Sequence, residues 1–157
     1  MNDFQAARFV RNMVSAMFNT VAGKKIAVFG FAFKADTGDT RESPAIAVCN
    51  RLLEERAKLA IHDPQALRNA ELELAAAPAG AVEFCDCPYE AAAGAHAIAL
   101  MTDWQSFQGL DFERIFASME KPAFLFDGRN IFDHEKLFEI GFNVYPIGKS
   151  ARTHFQH

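Results

Sequence analysis

Six short apolar runs, at residues 26–29, 58–62, 82–84, 97–101, 123–126 and 142–147, alternate with stretches whose apolar residues recur at helical spacing. Runs this short, four of them followed directly by Gly or Asp, fit strands, and the intervening segments fit helices. Parallel neighbours need a crossover connection, and a helix supplies it, so this order implies a mostly parallel sheet covered by helices on both faces. The predicted helices cover residues 44–56, 66–77, 89–93, 110–119 and 134–140. A longer amphipathic one precedes the first strand, over residues 3–21, with Ala6, Val10, Met13, Val14, Met17, Phe18 and Val21 on one stripe. Asn2 or Asp3 is its candidate cap and Gly23 its candidate end. That helix is open to three readings: cover for the core, a contact between copies, or the end of a longer linking helix. At 157 residues the chain has the size of one domain.

The most informative stretch is KIAVFGFAFKADTGDTRESP, residues 25–44. An apolar strand meets Gly30, passes through a polar segment with Lys34, Asp36, Asp39 and Arg41, and reaches Ser43 and Pro44, a good helix N-cap and first helical residue. In an open parallel sheet the carboxyl ends of the strands face the ligand crevice. Two cations on such a loop suit an anionic ligand, while Asp36, Asp39 and Glu42 would balance them on a solvated loop, and spacing alone does not decide between the two. Gly38 is expected to supply a positive φ. Asp36 and Asp39 are expected to bond local amides and hold Lys34 and Arg41 in place. Farther on, Asp63 ends the second strand where a dinucleotide-binding sheet would hold a ribose, but Pro64 makes a turn-forming role as natural. Trp104, after the strand at 97–101, reads as closing the core edge before it reads as a stacking platform. Residues 127–130 form a turn with Arg129 at its tip.

Several classes of function are excluded. A net charge of −4 with no basic block argues against nucleic-acid or anionic-membrane partners. No apolar run approaches the roughly 20 residues that span a bilayer, and the chain reads as cytoplasmic. Three cysteines, Cys49, Cys85 and Cys87, form neither a disulfide framework nor a zinc pattern, and the five histidines are scattered, so no metal is expected. Cys49 lies on the apolar side of the second helix, which makes it core and not a nucleophile. The tail from Lys149 is polar and expected to fray.

GFAFKADTGDTRESPA closely resembles the signature of the UDP-glucose 6-dehydrogenases, in the UDP-glucose/GDP-mannose dehydrogenase family, at the start of their C-terminal UDP-sugar-binding domain. Further blocks resemble the family in the same order: Asn2-Asp3, Phe18-Asn19-Thr20-Val21, His62-Asp63-Pro64, Thr102-Asp103-Trp104 and Phe126-Asp127-Gly128-Arg129. The resemblance implies an α/β, Rossmann-like fold, with residues 1–22 the end of an inter-domain helix, 23–150 the UDP-sugar-binding domain and 151–157 a tail. It implies that Phe33, Lys34 and Arg129 contact the UDP-sugar and that Arg41 reaches an NAD held mainly by another domain. The implied reaction is oxidation of UDP-glucose to UDP-glucuronate with two NAD, in a homo-oligomeric enzyme. Gly30-Phe31-Ala32 departs from G-x-G-x-x-G, and the family's catalytic cysteine, which forms a thiohemiacetal, has no counterpart here. No catalytic residue is therefore assigned, and the chain alone is expected to be inactive. Two other readings stay open: the same domain of a dehydrogenase for UDP-N-acetylmannosamine or GDP-mannose, and an oligomerisation module built on the first helix.

Overall fold

The computed structural model describes residues 3–155. Six strands, β1 (Lys25–Phe29), β2 (Lys58–His62), β3 (Val82–Phe84), β4 (Ala97–Leu100), β5 (Phe124–Asp127) and β6 (Asn143–Pro146), form one sheet in the order β3-β2-β1-β4-β5-β6, every pair parallel. All four residues of β4 and of β5 are buried, which is why β4 and the first three residues of β5 read as unbroken apolar runs. From β1 the chain winds outward through β2 and β3, and from β4 it winds the other way through β5 and β6. The junction of β1 and β4 is therefore the switch point, where loops diverge and leave a crevice.

The register fixes which loops share that crevice. Phe29 pairs with Leu100, and Leu100 pairs with Asp127, so β1, β4 and β5 end in one row. Two strand spacings separate the exits of β1 and β5, about 10 Å.

Helix α1 (Asp3–Ala16) buries Ala6, Phe9, Val10 and Met13 and packs on α2 (Pro44–Glu54), while its Phe9 ring lies edge-on to Phe126 of β5 at 6.4 Å. Its stripe is thus core cover. The helix stops five residues short of the expected end because Phe18 and Asn19 take φ of 65° and 66°, and the Asn19 amide closes back on the Val14 carbonyl at 2.9 Å. Phe18, placed on the stripe by periodicity, is consequently exposed, and Phe9 takes the inward place. Asn2, the alternative cap, lies outside the described residues, as do Met1, Gln156 and His157.

The remaining helices are short: α3 (Leu67–Glu73), α4 (Pro88–Ala92), α5 (Phe112–Ser118) and α6 (His134–Ile140). Asp111 and Asp133 cap α5 and α6 by accepting the amides of Arg114 and Lys136. A 3₁₀ helix (Gln105–Gly109) occupies the connection after β4 that the sequence left unassigned. The tail does not fray through residue 155. Arg152 bridges to Val144, and the Phe155 ring lies 6.0 Å from that of Phe124, because an aromatic side chain near the end gives the polar segment an apolar anchor.

Candidate functional site

The loop from Gly30 to Ser43 leaves β1 at the switch point, and its shape is set by buried polar groups. Ser43 caps α2 through the Ala45 amide at 3.2 Å, while its hydroxyl donates to the Phe31 carbonyl at 2.7 Å. Gly30 has φ of 93°, and a Cβ there would stand 2.4 Å from Thr102 Cβ. Only glycine lets β1's exit lie this close to β4's. Thr102 Oγ1 then donates to the Ala32 carbonyl at 2.8 Å.

Asp63 is the hub. Its carboxylate, 2% exposed, accepts the amides of Phe31 (2.7 Å) and Ala32 (3.0 Å) and the Trp104 indole N–H (3.1 Å) on Oδ2, and the amides of Gln65 and Ala66 (2.8 Å each) on Oδ1. This decides between the two sequence readings, because four of the five contacts hold the β1 loop and the turn after β2, and the fifth holds Trp104. It also bears on cofactor fit. The first amides after β1, which in a dinucleotide-binding sheet face a pyrophosphate, are occupied here by the protein's own carboxylate. Trp104, 6% exposed, closes the core edge and ties it to this hub.

Beyond the hub the loop turns outward. The Phe33 amide donates to the Asp39 carbonyl at 2.7 Å, closing a small loop that carries Lys34 at its outer side. The positive φ falls on Asp36 (67°), not on Gly38. Gly38 matters for close approach instead, since a Cβ there would meet the Gln65 carbonyl at 3.0 Å and its own carbonyl accepts from Asn69 at 2.6 Å. Asp39 does hold Arg41: its Oδ1 accepts the Arg41 amide (2.9 Å), and its two oxygens take Nε (3.1 and 3.2 Å) and Nη2 (2.8 Å). The guanidinium bonds lower the Asp39 carboxyl to about 2. Lys34 has no such tie. It is exposed and makes no hydrogen bond or ion pair among the described residues, so its ammonium is held by neither Asp36 nor Asp39.

Arg129 sits on the turn after β5. Gly128 lets that turn pass the Leu100 carbonyl, which a Cβ would approach to 2.7 Å. Asp127, fully buried, accepts the Arg129 amide at 3.1 Å, and Arg129 Nη2 lies 3.5 Å from Asp103 Oδ2 on β4's exit. Thr102 and Asp103 therefore link the two loops, one bonded behind Lys34 and the other beside Arg129. Phe33, an exposed aromatic, stands next to Lys34. All four sequence-expected residues lie on loops at one edge of the sheet, Arg41 on the outer arm. Asp63 is the turn former that the sequence offered as one of two readings, whereas the linking roles of Thr102 and Asp127 were missed, though each stands in a block that the sequence singled out.

Elsewhere, burial pushes the Cys49 thiol far above its usual range, as a core position requires. Among the described residues no cluster of three His, Cys, Asp or Glu could hold a metal ion, and no helix is long and apolar enough to cross a membrane. A separate cleft of about 870 Å³ runs between α1 and the end of β6, lined by Arg8, Asn12, Tyr145 and Lys149 among others. It contains none of the four expected residues.

A doubly wound parallel sheet in this strand order, with two cation-bearing loops at its carboxyl edge, defines an α/β domain of the Rossmann order. The pattern of the UDP-glucose/GDP-mannose dehydrogenase family, UDP binding domain, matches residues 27–134, and the chain belongs to that family. It is 50% identical over 166 residues to UDP-glucose 6-dehydrogenase 4 of Oryza sativa subsp. japonica, with 95% of this chain and 35% of the relative covered. It is 50% identical over 167 residues to UDP-glucose 6-dehydrogenase 1 of Arabidopsis thaliana, with the same coverage. A UDP-glucose dehydrogenase structure from Pyrobaculum islandicum superposes with a TM-score of 0.70 at 25% identity, over 90% of this chain and 29% of that one. The chain thus spans about a third of the length of the relatives it matches.

Proposed function

We propose that this chain is the UDP-sugar-binding part of a UDP-glucose 6-dehydrogenase, holding UDP-glucose and, after oxidation, UDP-glucuronate at the carboxyl edge of its sheet. Lys34 supplies a point charge and Arg129 a two-pronged donor to the diphosphate, while Phe33 lies against the nucleotide sugar. The observation that carries this reading is the row Phe29, Leu100, Asp127, from which both cation-bearing loops leave at one level. The anchoring of both loop backbones by Asp63, Thr102 and Asp127 supports it further, because it fixes where the two cationic side chains start.

NAD, which takes the hydride in each of the two oxidation steps, belongs in the main to the rest of the enzyme. Arg41 is this chain's contact to it. With Nε and Nη2 held by Asp39, its Nη1 remains for a ligand, and the occupied amides at Phe31 and Ala32 argue against a pyrophosphate on β1's own loop. Three unpaired thiols fit a cytoplasmic setting, and the exposed Phe4 and Phe18 at the two ends of α1 fit assembly into a homo-oligomer.

Calorimetric titration with UDP tests the reading. Lys34→Ala and Arg129→Ala are each expected to weaken UDP by about tenfold, the loss of one charge-assisted contact. Undiminished affinity in both variants would refute it. Competition by GDP separates the uridine branches from the GDP-mannose branch, since a UDP-sugar enzyme discriminates against the purine and a GDP-mannose enzyme does not.

A further inference from the structure

We infer that His134 is a positioning residue for Arg129, acting through the buried carboxylate of Asp127. The inference rests on Arg129 being an anion contact. Asp127 is fully buried at the end of β5, where its Oδ1 accepts the Arg129 amide (3.1 Å) and its Oδ2 accepts the Phe132 amide (3.1 Å). Two backbone donors leave an ionised carboxylate short of partners in a fully buried position, and such a group draws the nearest cation. That cation would be Arg129, two residues along the chain.

His134, the first residue of α6, fills the gap. Its Nε2 lies 2.8 Å from Asp127 Oδ2, with the imidazole side chain 15% exposed. A carboxylate that already accepts two amides can only accept again, so Nε2 carries the proton and donates. With Asp127 satisfied from the α6 side, the guanidinium is left on the crevice side, where Asp103 holds it by a single long contact of 3.5 Å that a diphosphate can displace. The turn is braced at its other end by Asn130, whose φ of 55° and side-chain bond to the Ile147 carbonyl (2.8 Å) fix the chain direction after Arg129.

The test is UDP titration of this chain, followed by amide-resolved NMR, which reads dissociation constants into the millimolar range. His134→Ala is expected to weaken UDP about three- to tenfold, the worth of one hydrogen bond. His134→Gln keeps an N–H donor at similar reach and is expected to bind close to wild type. The decisive arm is Arg129→Ala/His134→Ala. If His134 acts through Arg129, the double variant binds no more weakly than Arg129→Ala alone. An equal loss in both backgrounds, or wild-type affinity in His134→Ala while Arg129→Ala is weakened, overturns this inference and leaves the proposed function standing. Wild-type affinity in Arg129→Ala alone overturns this inference; undiminished affinity in both Lys34→Ala and Arg129→Ala, or no response of the wild-type chain to UDP, overturns both.

Discussion

Replacing Asp63 by asparagine should damage this domain more than almost any other change of a single atom. The carboxylate accepts five hydrogen bonds, three on one oxygen and two on the other. Asparagine keeps one acceptor oxygen. Turned toward Phe31, Ala32 and Trp104, it sets its own NH2 against the amides of Gln65 and Ala66, donors that sit 2.8 Å from the present Oδ1. Hydrogen bonds to a charged group contribute about 1.5–3 kcal/mol each, so losing two costs about 4 kcal/mol. In a domain of this size each kcal/mol moves Tm by about 2–4 °C, giving a fall on the order of 12 °C. Urea and thermal unfolding measure it, with Thr102→Val, which removes a single bond to the Ala32 carbonyl, as a control expected near 1 kcal/mol. An Asp63→Asn protein within about 1 kcal/mol of wild type would show that the hub does not hold the loop.

Two further outcomes follow from the same loop. Gly30→Ala forces a Cβ to within 2.4 Å of Thr102 Cβ at a φ of 93°, and should cost on the order of 3 kcal/mol in urea unfolding; an unchanged midpoint would contradict the close packing of β1's exit on β4's. The Asp39 carboxyl should titrate by NMR with a midpoint of about 2 and return to the ordinary carboxylate range in Arg41→Ala. Because its folded value is depressed, whatever stability the pair adds is present above the unfolded value and lost as pH falls toward 2; since the pair is exposed, that effect on unfolding should be slight. A midpoint near 4 in the wild type would mean that the pair is not formed in solution.

The sheet was legible because parallel strands buried on both faces leave apolar runs such as residues 97–100 and 123–126 that no alternation disguises. Ser43 and Pro44 announced α2 through local chemistry alone. The end of α1 was not legible, because a left-handed Phe18 is a tertiary choice: the ring turns to meet Phe124 and Phe155, contacts that no helical periodicity encodes. The four expected site residues came from a family signature, and their common edge came from strand order. What escaped reading was the polar scaffolding. An Asp before Pro looks the same whether it shapes a turn or binds a ribose, and only the spacing of its oxygens from the amides of Phe31 and Ala32 separates the two. Similarly, nothing local in Asp127 and His134 announces a pair, since it needs β5's exit and α6's start to meet.

A crystal structure of this chain with UDP tests the central claim most directly. The diphosphate is expected above the ends of β1, β4 and β5, with Lys34 Nζ and the Arg129 guanidinium each about 2.7–3.2 Å from its oxygens and Asp103 released from Arg129. UDP seated in the cleft of Arg8 and Lys149 beside α1, or at the switch point without either cation, would contradict it.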